Sequence, residues 1–178
     1  LSKIYGIEVQ QEVAEMAQRS IKLNNLENRF EIINKNIKDL ESVFDKNSFD
    51  FIITNPPYKK MDTGKTNENS KKLISRHEIT ATLKDFIKIS YIMLKDKGTL
   101  YMVHKPERLV DIIYQLRRNK IEPKEIRFVH PYEKKEPNLI LIKAVKNGGQ
   151  FLKIDKPLYV YNERGEYTEE ILKIYNKM

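Results

Sequence analysis

The first 54 residues alternate between short apolar runs and segments with an apolar residue every third or fourth position. Three runs have the length and the β-branched and aromatic content of strands: residues 3–8, 30–34 and 49–54. Between the first two, the apolar positions 13, 16, 17 and 21 form one face of a helix predicted over residues 10–24. Asn36 and Asp39 predict a short helix before the third strand, as its N-cap and first-turn acid.

The same alternation continues after residue 78. One long helix is predicted from a stripe of apolar side chains: Ile79, Leu83, Phe86, Ile87, Tyr91 and Leu94. Lys97 and Gly98 predict its end, residues 99–104 form a fourth strand, and Pro106 suits the first turn of another helix. Strands separated by crossover helices make a mostly parallel sheet with helices on both faces, so the fold class is α/β.

The alternation of strands and crossover helices stops near residue 119. Residues 125–130 and 138–146 are strand-like and are joined by only seven residues, too few for a crossover helix, so they predict an antiparallel hairpin. The remaining tail predicts an extended segment at residues 158–161 and a helix from Glu169 with Thr168 as its N-cap. We expect one domain over residues 1–149 and a C-terminal extension over residues 150–178 packed on it.

Composition narrows the possible chemistry. The 178 residues include no cysteine, which excludes disulfides, thiolate nucleophiles and cysteine-built metal sites. The three histidines have no paired spacing, and we expect no metal. A formal charge of +8 favours an acidic partner such as nucleic acid, although solubility alone explains it equally well. With neither a long apolar run nor a leader, a cytoplasmic protein is expected.

The third strand runs directly into Asn-Pro-Pro-Tyr in the stretch FDFIITNPPYKK. The strand reads as covered on both faces, in the middle of a sheet. Pro56 and Pro57 donate no backbone hydrogen bond and fix φ, so the chain must leave the sheet rigidly at Asn55. An amide and the ring of Tyr58 are thereby placed where open α/β sheets bind ligands. The structural alternative is a rigid loop in which Asn55 only caps a turn.

Lysines surround this motif. Lys59 and Lys60 begin a polar, lysine-rich segment over residues 59–72 that reads as a mobile loop and a candidate lid. Lys105 and Arg108 follow the fourth strand at the same edge of the sheet. Together these cations could hold RNA phosphates, although for a single lysine a solvated surface position explains the residue as well. His104, His130 and Tyr132 are further candidates for stacking on bases.

An α/β sheet ending in a hairpin, with NPPY at the tip of a strand, resembles the class I S-adenosylmethionine-dependent methyltransferases that act on amino groups. Three further stretches resemble the bacterial tRNA-valine adenine N6-methyltransferase-like group: VHKPERLVDI, RFVHPYEKKEPNLILIKAVKNGG and PLYVYNERGEYTEEILKIY. The resemblance implies a Rossmann-like methyltransferase sheet over residues 1–149, S-adenosylmethionine as cofactor, and N6-methylation of an adenosine in the anticodon loop of tRNA.

The resemblance also implies roles for individual residues. The expected catalytic residues are those of the motif: Asn55, Pro56, Pro57 and Tyr58. The expected cofactor-binding residues are Glu8, Val9, Asn36, Ile37 and Asn55, with the Glu8 carboxylate accepting from ribose hydroxyls. Substrate contacts fall to Tyr58, Lys59, Lys60, Lys105 and Arg108. As plainer alternatives, Glu8 is a solvated acid at a strand end and Asn36 is only an N-cap.

One departure from the family is large. The family places a first strand and a glycine-rich turn before the point where this sequence begins, and no G-x-G-x-x-G string occurs here. We therefore expect a sheet that lacks this strand and turn, in a chain that is part of a longer protein. Two alternatives remain open: a methyltransferase acting on protein glutamine or on an rRNA or DNA base, and a non-catalytic fragment that binds nucleic acid.

Overall fold

The computed structural model describes residues 3–58 and 81–177. The elements in these residues are, in chain order, β1 (Ile4–Glu8), α1 (Gln11–Leu23), β2 (Phe30–Asn34), a 3₁₀ helix (Ile37–Ser42), β3 (Phe49–Thr54), α2 (Leu83–Met93), β4 (Leu94–His104), a 3₁₀ turn (Pro106–Arg108), α3 (Leu109–Arg118), β5 (Ile121–His130), β6 (Leu139–Lys146), β7 (Lys153–Ile154), β8 (Leu158–Tyr159) and α4 (Glu169–Ile174). The predicted alternation of strands and helices is confirmed.

The strands form two sheets. β1 and β2 pair in parallel, and the second sheet has the order β3-β4-β6-β5-β7, with β8 also paired to β5. β3 and β4 are parallel, whereas β6 is antiparallel to both β4 and β5, which confirms the predicted hairpin. β3, β4 and β5 therefore point the same way, and their carboxyl ends share one edge of the sheet.

The burial of β3 differs from the sequence prediction. The prediction of a strand covered on both faces is wrong, because Ile53 is 72% exposed and Asp50 is exposed as well. Asp50 instead forms a surface ion pair with Lys95, with Nζ and Oδ1 2.8 Å apart. β3 is also the edge strand of its sheet rather than a strand in the middle, and among the described residues no strand is hydrogen-bonded between it and β1.

Three aromatic rings connect the two sheets. Phe44 contacts both Tyr5 of β1 and Phe49 of β3 edge to face, with ring centroids 4.9 Å and 5.0 Å away, and Tyr5 and Phe49 are 6.0 Å apart. Such edge-to-face pairs stabilise beyond the area they bury. Tyr5 and Phe49 both lie near the starts of their strands, so the contact joins the beginnings of β1 and β3.

The main core lies between the six-stranded sheet and helices α2 and α3. Its fully buried members, all less than 2% exposed, include Ile87, Leu94, Leu100, Ile112, Leu116, Ile121 and Ile140. These residues recur at helical spacing on α2 and α3 and at alternate positions on the strands, as the hydrophobic pattern requires.

The junction of α2 and β4 differs from the predicted helix end at Lys97 and Gly98. The helix stops at Met93, and the following residues form a bulged start of β4 in which Lys97 has a φ of 60°. A Cβ on Gly98 would lie 2.9 Å from the Lys95 carbonyl oxygen and 3.2 Å from that of Asp50, so the bulge requires glycine there.

The buried ammonium group of Lys146 supports the same junction. It donates to the backbone carbonyls of Tyr91 and Leu94 and to the side-chain oxygen of Asn47, at 2.7 to 2.8 Å, and lies 4.3 Å from the centre of the Tyr91 ring. The cation thus satisfies carbonyls at the end of α2, where the helix dipole favours positive charge.

The tail docks on β5. Besides the β7 and β8 pairings, the Arg127 guanidinium forms an ion pair with Glu170 at 2.6 Å and donates to the Lys156 carbonyl. Ile171 of α4 is buried against Val129 and Leu158. Thr168 caps α4 through its hydroxyl, which accepts from the amide of Ile171, as predicted.

The aromatic bridge between the sheets predicts a loss of stability on truncation. Phe44→Ala should lower the free energy of unfolding by about 2 kcal/mol, because a half-buried ring and two edge-to-face contacts are lost. Urea titration followed by circular dichroism measures the change. Val110→Ala is the control, since Val110 is 81% exposed on α3. Equal stability of both variants would show that the three rings do not hold the sheets together.

Candidate active site

The NPPY segment leaves the sheet at the shared carboxyl edge. Asn55 is exposed, and its side chain has no hydrogen-bond partner among the described residues. The next residue, Pro56, is less than 2% exposed, whereas Pro57 is exposed. A buried proline before an exposed one anchors the turn and fixes the backbone on which Asn55 is displayed. The amide is therefore open to a ligand, and its position is rigid.

Three residues at and just after the end of β4 hold Tyr58 in place. The ring of His104 contacts the Tyr58 ring edge to face, with centroids 5.0 Å apart. Nη1 of Arg108 donates to the Tyr58 carbonyl at 3.1 Å, and Nζ of Lys105 lies 5.6 Å from the ring centre. The half-buried tyrosine is thus fixed at its backbone and along its ring edge.

The ring of His104 packs against Tyr58 from the core side of the NPPY segment. It is completely buried, which corrects the expectation that it could stack on a base. Its Nδ1 accepts from the Lys105 amide at 2.8 Å, so the neutral ring carries its hydrogen on Nε2. Nε2 has no partner of ordinary hydrogen-bond geometry among the described residues, although the nearby Pro57 carbonyl favours a proton there.

Burial also controls the charge of His104. Desolvation, followed by repulsion from Arg108, holds the pKa of the imidazole below its ordinary value of 6.5. The ring is consequently neutral at physiological pH and acts as a packing and positioning group for Tyr58 and Pro57. The sequence signal for this role is a histidine at the last position of a buried strand next to the motif, in the stretch VHKPER.

Arg108 is largely occupied by contacts within the protein. Its Nε forms an ion pair with Oδ2 of Asp111 at 2.8 Å, and its side chain is only 15% exposed. Together with the bond to the Tyr58 carbonyl, this makes Arg108 a support of the motif backbone. Binding of substrate phosphates by Arg108 stays a prediction, as it does for Lys105, whose side chain is half-buried.

Glu8 is the last residue of β1. Its Oε1 accepts from the amide of Gln10 at 2.7 Å, and its backbone carbonyl accepts from Nδ2 of Asn34 at 2.8 Å. The second carboxylate oxygen remains available as an acceptor. Next to Glu8, Val9 is 41% exposed. A cavity of about 490 Å³ is lined by residues at the start of α1: Gln10, Gln11, Glu12 and Glu15.

The remaining predicted contacts divide into two groups. Asn36 caps the 3₁₀ helix by accepting from the amide of Lys38 at 3.0 Å, and it and Ile37 are half-buried. Lys59, Lys60 and the candidate lid over residues 59–72 lie outside the described residues. In the described parts of the chain, no three histidine or acidic side chains cluster as a metal would require. None of the helices described there is long and apolar enough to cross a membrane.

Comparison with known families identifies the chain. The family model of the Eco57I restriction-modification methylases matches residues 2–136. The chain belongs to this family. The match covers β1 to β5 and therefore includes Glu8, the NPPY motif and the residues after β4 that hold Tyr58.

Curated relatives of this family member carry a more specific name. A tRNA1(Val) (adenine(37)-N6)-methyltransferase of Porphyromonas gingivalis is 27% identical over 142 residues, which is 79% of this chain. A protein of the same name from Parabacteroides distasonis is 26% identical over 174 residues, covering 95% of this chain and 70% of the relative. The chain spans 55% of the length of the Porphyromonas gingivalis relative.

Solved structures show the fold of this family member. The crystal structure of a predicted O-methyltransferase from Agrobacterium tumefaciens superposes with a TM-score of 0.78 at 20% identity, over 98% of this chain and 77% of that one. A geranyl diphosphate C-methyltransferase from Streptomyces coelicolor, solved with S-adenosyl-L-homocysteine, gives a TM-score of 0.59 at 12% identity, over 82% and 63%. The expected Rossmann-like methyltransferase fold is confirmed.

The buried neutral His104 predicts a pH dependence of stability. In the unfolded chain the imidazole takes up a proton near its ordinary pKa of 6.5, whereas in the folded chain its lowered pKa keeps it neutral. The unfolded state therefore binds more protons below pH 6.5, and the free energy of unfolding should fall as pH decreases through that range. Urea titrations at about pH 7.5 and about pH 5.5 measure the loss.

Two histidine variants separate this effect from other titrations. His104→Gln should remove part of the loss of stability at low pH, because no imidazole remains to be protonated on unfolding. His130→Gln is the control and should retain the loss that His104 causes, because His104 is still present in that variant. An unchanged pH dependence in His104→Gln would contradict the assignment.

Proposed function

We propose that the protein transfers a methyl group from S-adenosylmethionine to N6 of an adenosine in a tRNA anticodon loop. The observation that carries the proposal is the exposed amide of Asn55, which has no partner among the described residues and is displayed by a buried proline at the carboxyl edge of the sheet. The two relatives described above, named as adenine N6-methyltransferases of tRNA, support this choice of substrate.

Positioning supplies most of the catalysis in this proposal. The amino group of adenine is a poor nucleophile because its lone pair is delocalised into the ring. The Asn55 Oδ1 and the Pro56 carbonyl accept its two hydrogens, which orients the nitrogen lone pair towards the methyl donor. The prolines prevent these acceptors from relaxing, and Tyr58 stacks on the face of the extruded base.

The proposed methyl transfer requires no strong base from the protein. S-adenosylmethionine, when bound, supplies an electrophilic methyl group on a sulfonium. A bond forms between the amine nitrogen and the methyl carbon as the carbon–sulfur bond breaks, and the surplus proton leaves the product nitrogen for water. Asn55 and Pro56 stabilise the positive charge that develops on the nitrogen, because both present oxygen dipoles to its hydrogens.

The residues present fit part of the cofactor. The unused carboxylate oxygen of Glu8 lies at the end of β1, and an oxygen acceptor in that position suits ribose hydroxyls. Glu8 would hold the ribose, with Val9 and Ile37 covering the adenine. The side-chain oxygen of Asn36 already accepts from the amide of Lys38, so Asn36 would contribute less to cofactor binding.

The charge of the chain suits the proposed substrate. The excess of eight positive charges attracts the phosphates of tRNA, and Lys105 lies beside Tyr58 at the edge where the target base would enter. Lys59 and Lys60 follow the motif directly in sequence and are proposed to contact the same strand. A tRNA substrate also agrees with the expected cytoplasmic location. Residues 1–149 form the catalytic part in this proposal.

Loss of the Asn55 amide is the direct test of catalysis. Asn55→Ala should lower the rate of methyl transfer by about 10² to 10³, the range observed when one preorganised hydrogen-bonding group is removed from an active site. Methylation of tRNA with tritiated S-adenosylmethionine measures the rate. Binding of S-adenosylhomocysteine, measured by calorimetry on the same sample, should be nearly unchanged.

Asn119→Ala is the matched control, because Asn119 lies at the C-terminus of α3, away from the motif. It should retain wild-type turnover. Wild-type turnover in Asn55→Ala would exclude the role proposed for the amide, and loss of cofactor binding in that variant would move the role of Asn55 from substrate to cofactor.

A second candidate function follows from the family itself. The matching model describes restriction-modification methylases, so a DNA base is an alternative acceptor with the same amine chemistry. Incubation with tRNA, duplex DNA and a glutamine peptide, followed by mass spectrometry of the digested products, separates the alternatives. We expect N6-methyladenosine in the tRNA alone. Methyladenine in the DNA with none in the tRNA would replace the proposal with the alternative.

A further inference from the structure

Four tyrosines from distant parts of the chain assemble on one surface. These residues, which we call the tyrosine platform, are Tyr132, Tyr161, Tyr167 and Tyr175. The rings of Tyr161 and Tyr167 are stacked, with centroids 5.2 Å apart and planes at 16°. Tyr132 packs on Tyr161 at 5.5 Å, and Tyr175 packs on Tyr167 at 6.1 Å. The rings therefore form a continuous row.

The centre of the platform is held in place by a tight turn. Tyr161 and Tyr167 are bridge partners, and the side-chain oxygen of Asn162 accepts from the amides of Arg164 and Glu166 at 2.9 Å and 3.0 Å. Gly165 completes the turn with a φ of 80°. This hydrogen bonding fixes the two stacked rings before any ligand arrives, which lowers the entropic cost of binding.

The platform is also accessible. Tyr132 is 39% exposed, Tyr167 is 41% exposed and Tyr175 is 59% exposed. A cavity of about 320 Å³ opens beside Tyr132 and Tyr161, which is the size of a small ligand pocket. Rigid and exposed aromatic rings next to such a cavity are a typical binding surface.

The platform lies on the edge of the sheet that carries the NPPY motif. Tyr132 comes two residues after the end of β5, whose carboxyl end faces the same way as those of β3 and β4. Three strand spacings separate β3 from β5 in the sheet order, which amounts to about 14 Å. A strand of RNA with one base at Asn55 would bring its neighbouring nucleotides over the platform.

Charge indicates which part of the RNA would bind. Among the residues that line the cavity, Lys134 lies 3.9 Å from the carboxylate of Glu163, and Glu133 is a second acid. The cavity lining therefore has no excess of positive charge with which to hold phosphates, and the cation over the platform, Lys177, lies 5.7 Å from the centre of the Tyr175 ring. Aromatic rings stack on any base, because every base has a π face.

We propose that the tyrosine platform binds unpaired nucleobases of the RNA substrate by stacking, beside the nucleotide that enters the NPPY site. This inference rests on the proposed function for its substrate class. It adds a binding surface built largely from the tail, in which Tyr161, Tyr167 and Tyr175 follow the residues that the family model matches.

The test measures binding of a short fluorescein-labelled single-stranded RNA by anisotropy, at one fixed salt concentration and without cofactor. Tyr132→Ala and Tyr175→Ala should each weaken binding by about 5- to 150-fold, the range for loss of one base–aromatic stack. Tyr132→Phe and Tyr175→Phe should bind as tightly as the wild type, because the stacking face is kept. Thermal unfolding of each variant verifies that it is folded.

Tyr114→Ala is the matched control, because Tyr114 is as exposed as Tyr175 but lies on α3, away from the platform. It should retain wild-type affinity. A blunt RNA duplex, whose bases are already paired and stacked, should bind equally to the wild type and to both alanine variants. When the titrations are repeated at several salt concentrations, the salt dependence of binding should be unchanged by the alanine substitutions, since no phosphate contact is removed.

Three results would overturn the proposal. They are wild-type affinity in both folded alanine variants, an equal loss of affinity for the duplex, and no binding of single-stranded RNA by the wild type. These outcomes are independent of methyl transfer. An inactive enzyme whose RNA affinity depends on the platform would refute the proposed function and leave the platform in place, whereas an active enzyme indifferent to both tyrosines would do the reverse.

Discussion

The parallel pairing of β3 with β4 is the constraint on which the candidate site depends. Thr54 lies opposite Met102, so the two strands end at the same edge, where Asn55 emerges close to the buried His104. The prolines after Asn55 donate no backbone hydrogen bond, so no strand ladder can hold this segment. It is held instead through Tyr58, by contacts that exist only because β4 ends beside β3.

Two buried polar side chains lie at opposite ends of the main core, and they differ in how fully their polar atoms are hydrogen-bonded. Lys146, at the edge away from the site, donates three hydrogen bonds and lies over an aromatic ring, so its buried charge is compensated. His104, beneath the NPPY segment, is neutral. Its Nε2–H has no partner of ordinary geometry in the described part of the chain. Incomplete satisfaction of a buried polar group occurs at functional sites, but among the described residues Oε1 of Gln115 on α3 also lacks a partner, so the histidine marks the site through its contacts with Tyr58.

Tyr58 and the tyrosine platform both lie at the carboxyl edge of the sheet, but different parts of the chain hold them in place. Tyr58 is fixed by the residues after β4, within the segment that the family model matches, whereas the tyrosine platform is largely built from the tail that docks on β5. The tail is attached by short strands and by the Arg127–Glu170 ion pair. The proposed stacking surface and the proposed catalytic amide of Asn55 are therefore held in place by different parts of the chain.

The sequence by itself determined most local structure, because periodicity, caps and prolines act over a few residues. The bounds of β2 and β3, the Thr168 cap and the rigid exit at Asn55 follow from those signals. Only the tertiary structure decided that β3 is an edge strand with Ile53 exposed, and that His104 is buried. The same holds for the four tyrosines from residues 132 to 175, because they meet only once the tail pairs with β5, and such long-range pairing leaves no local pattern in the chain.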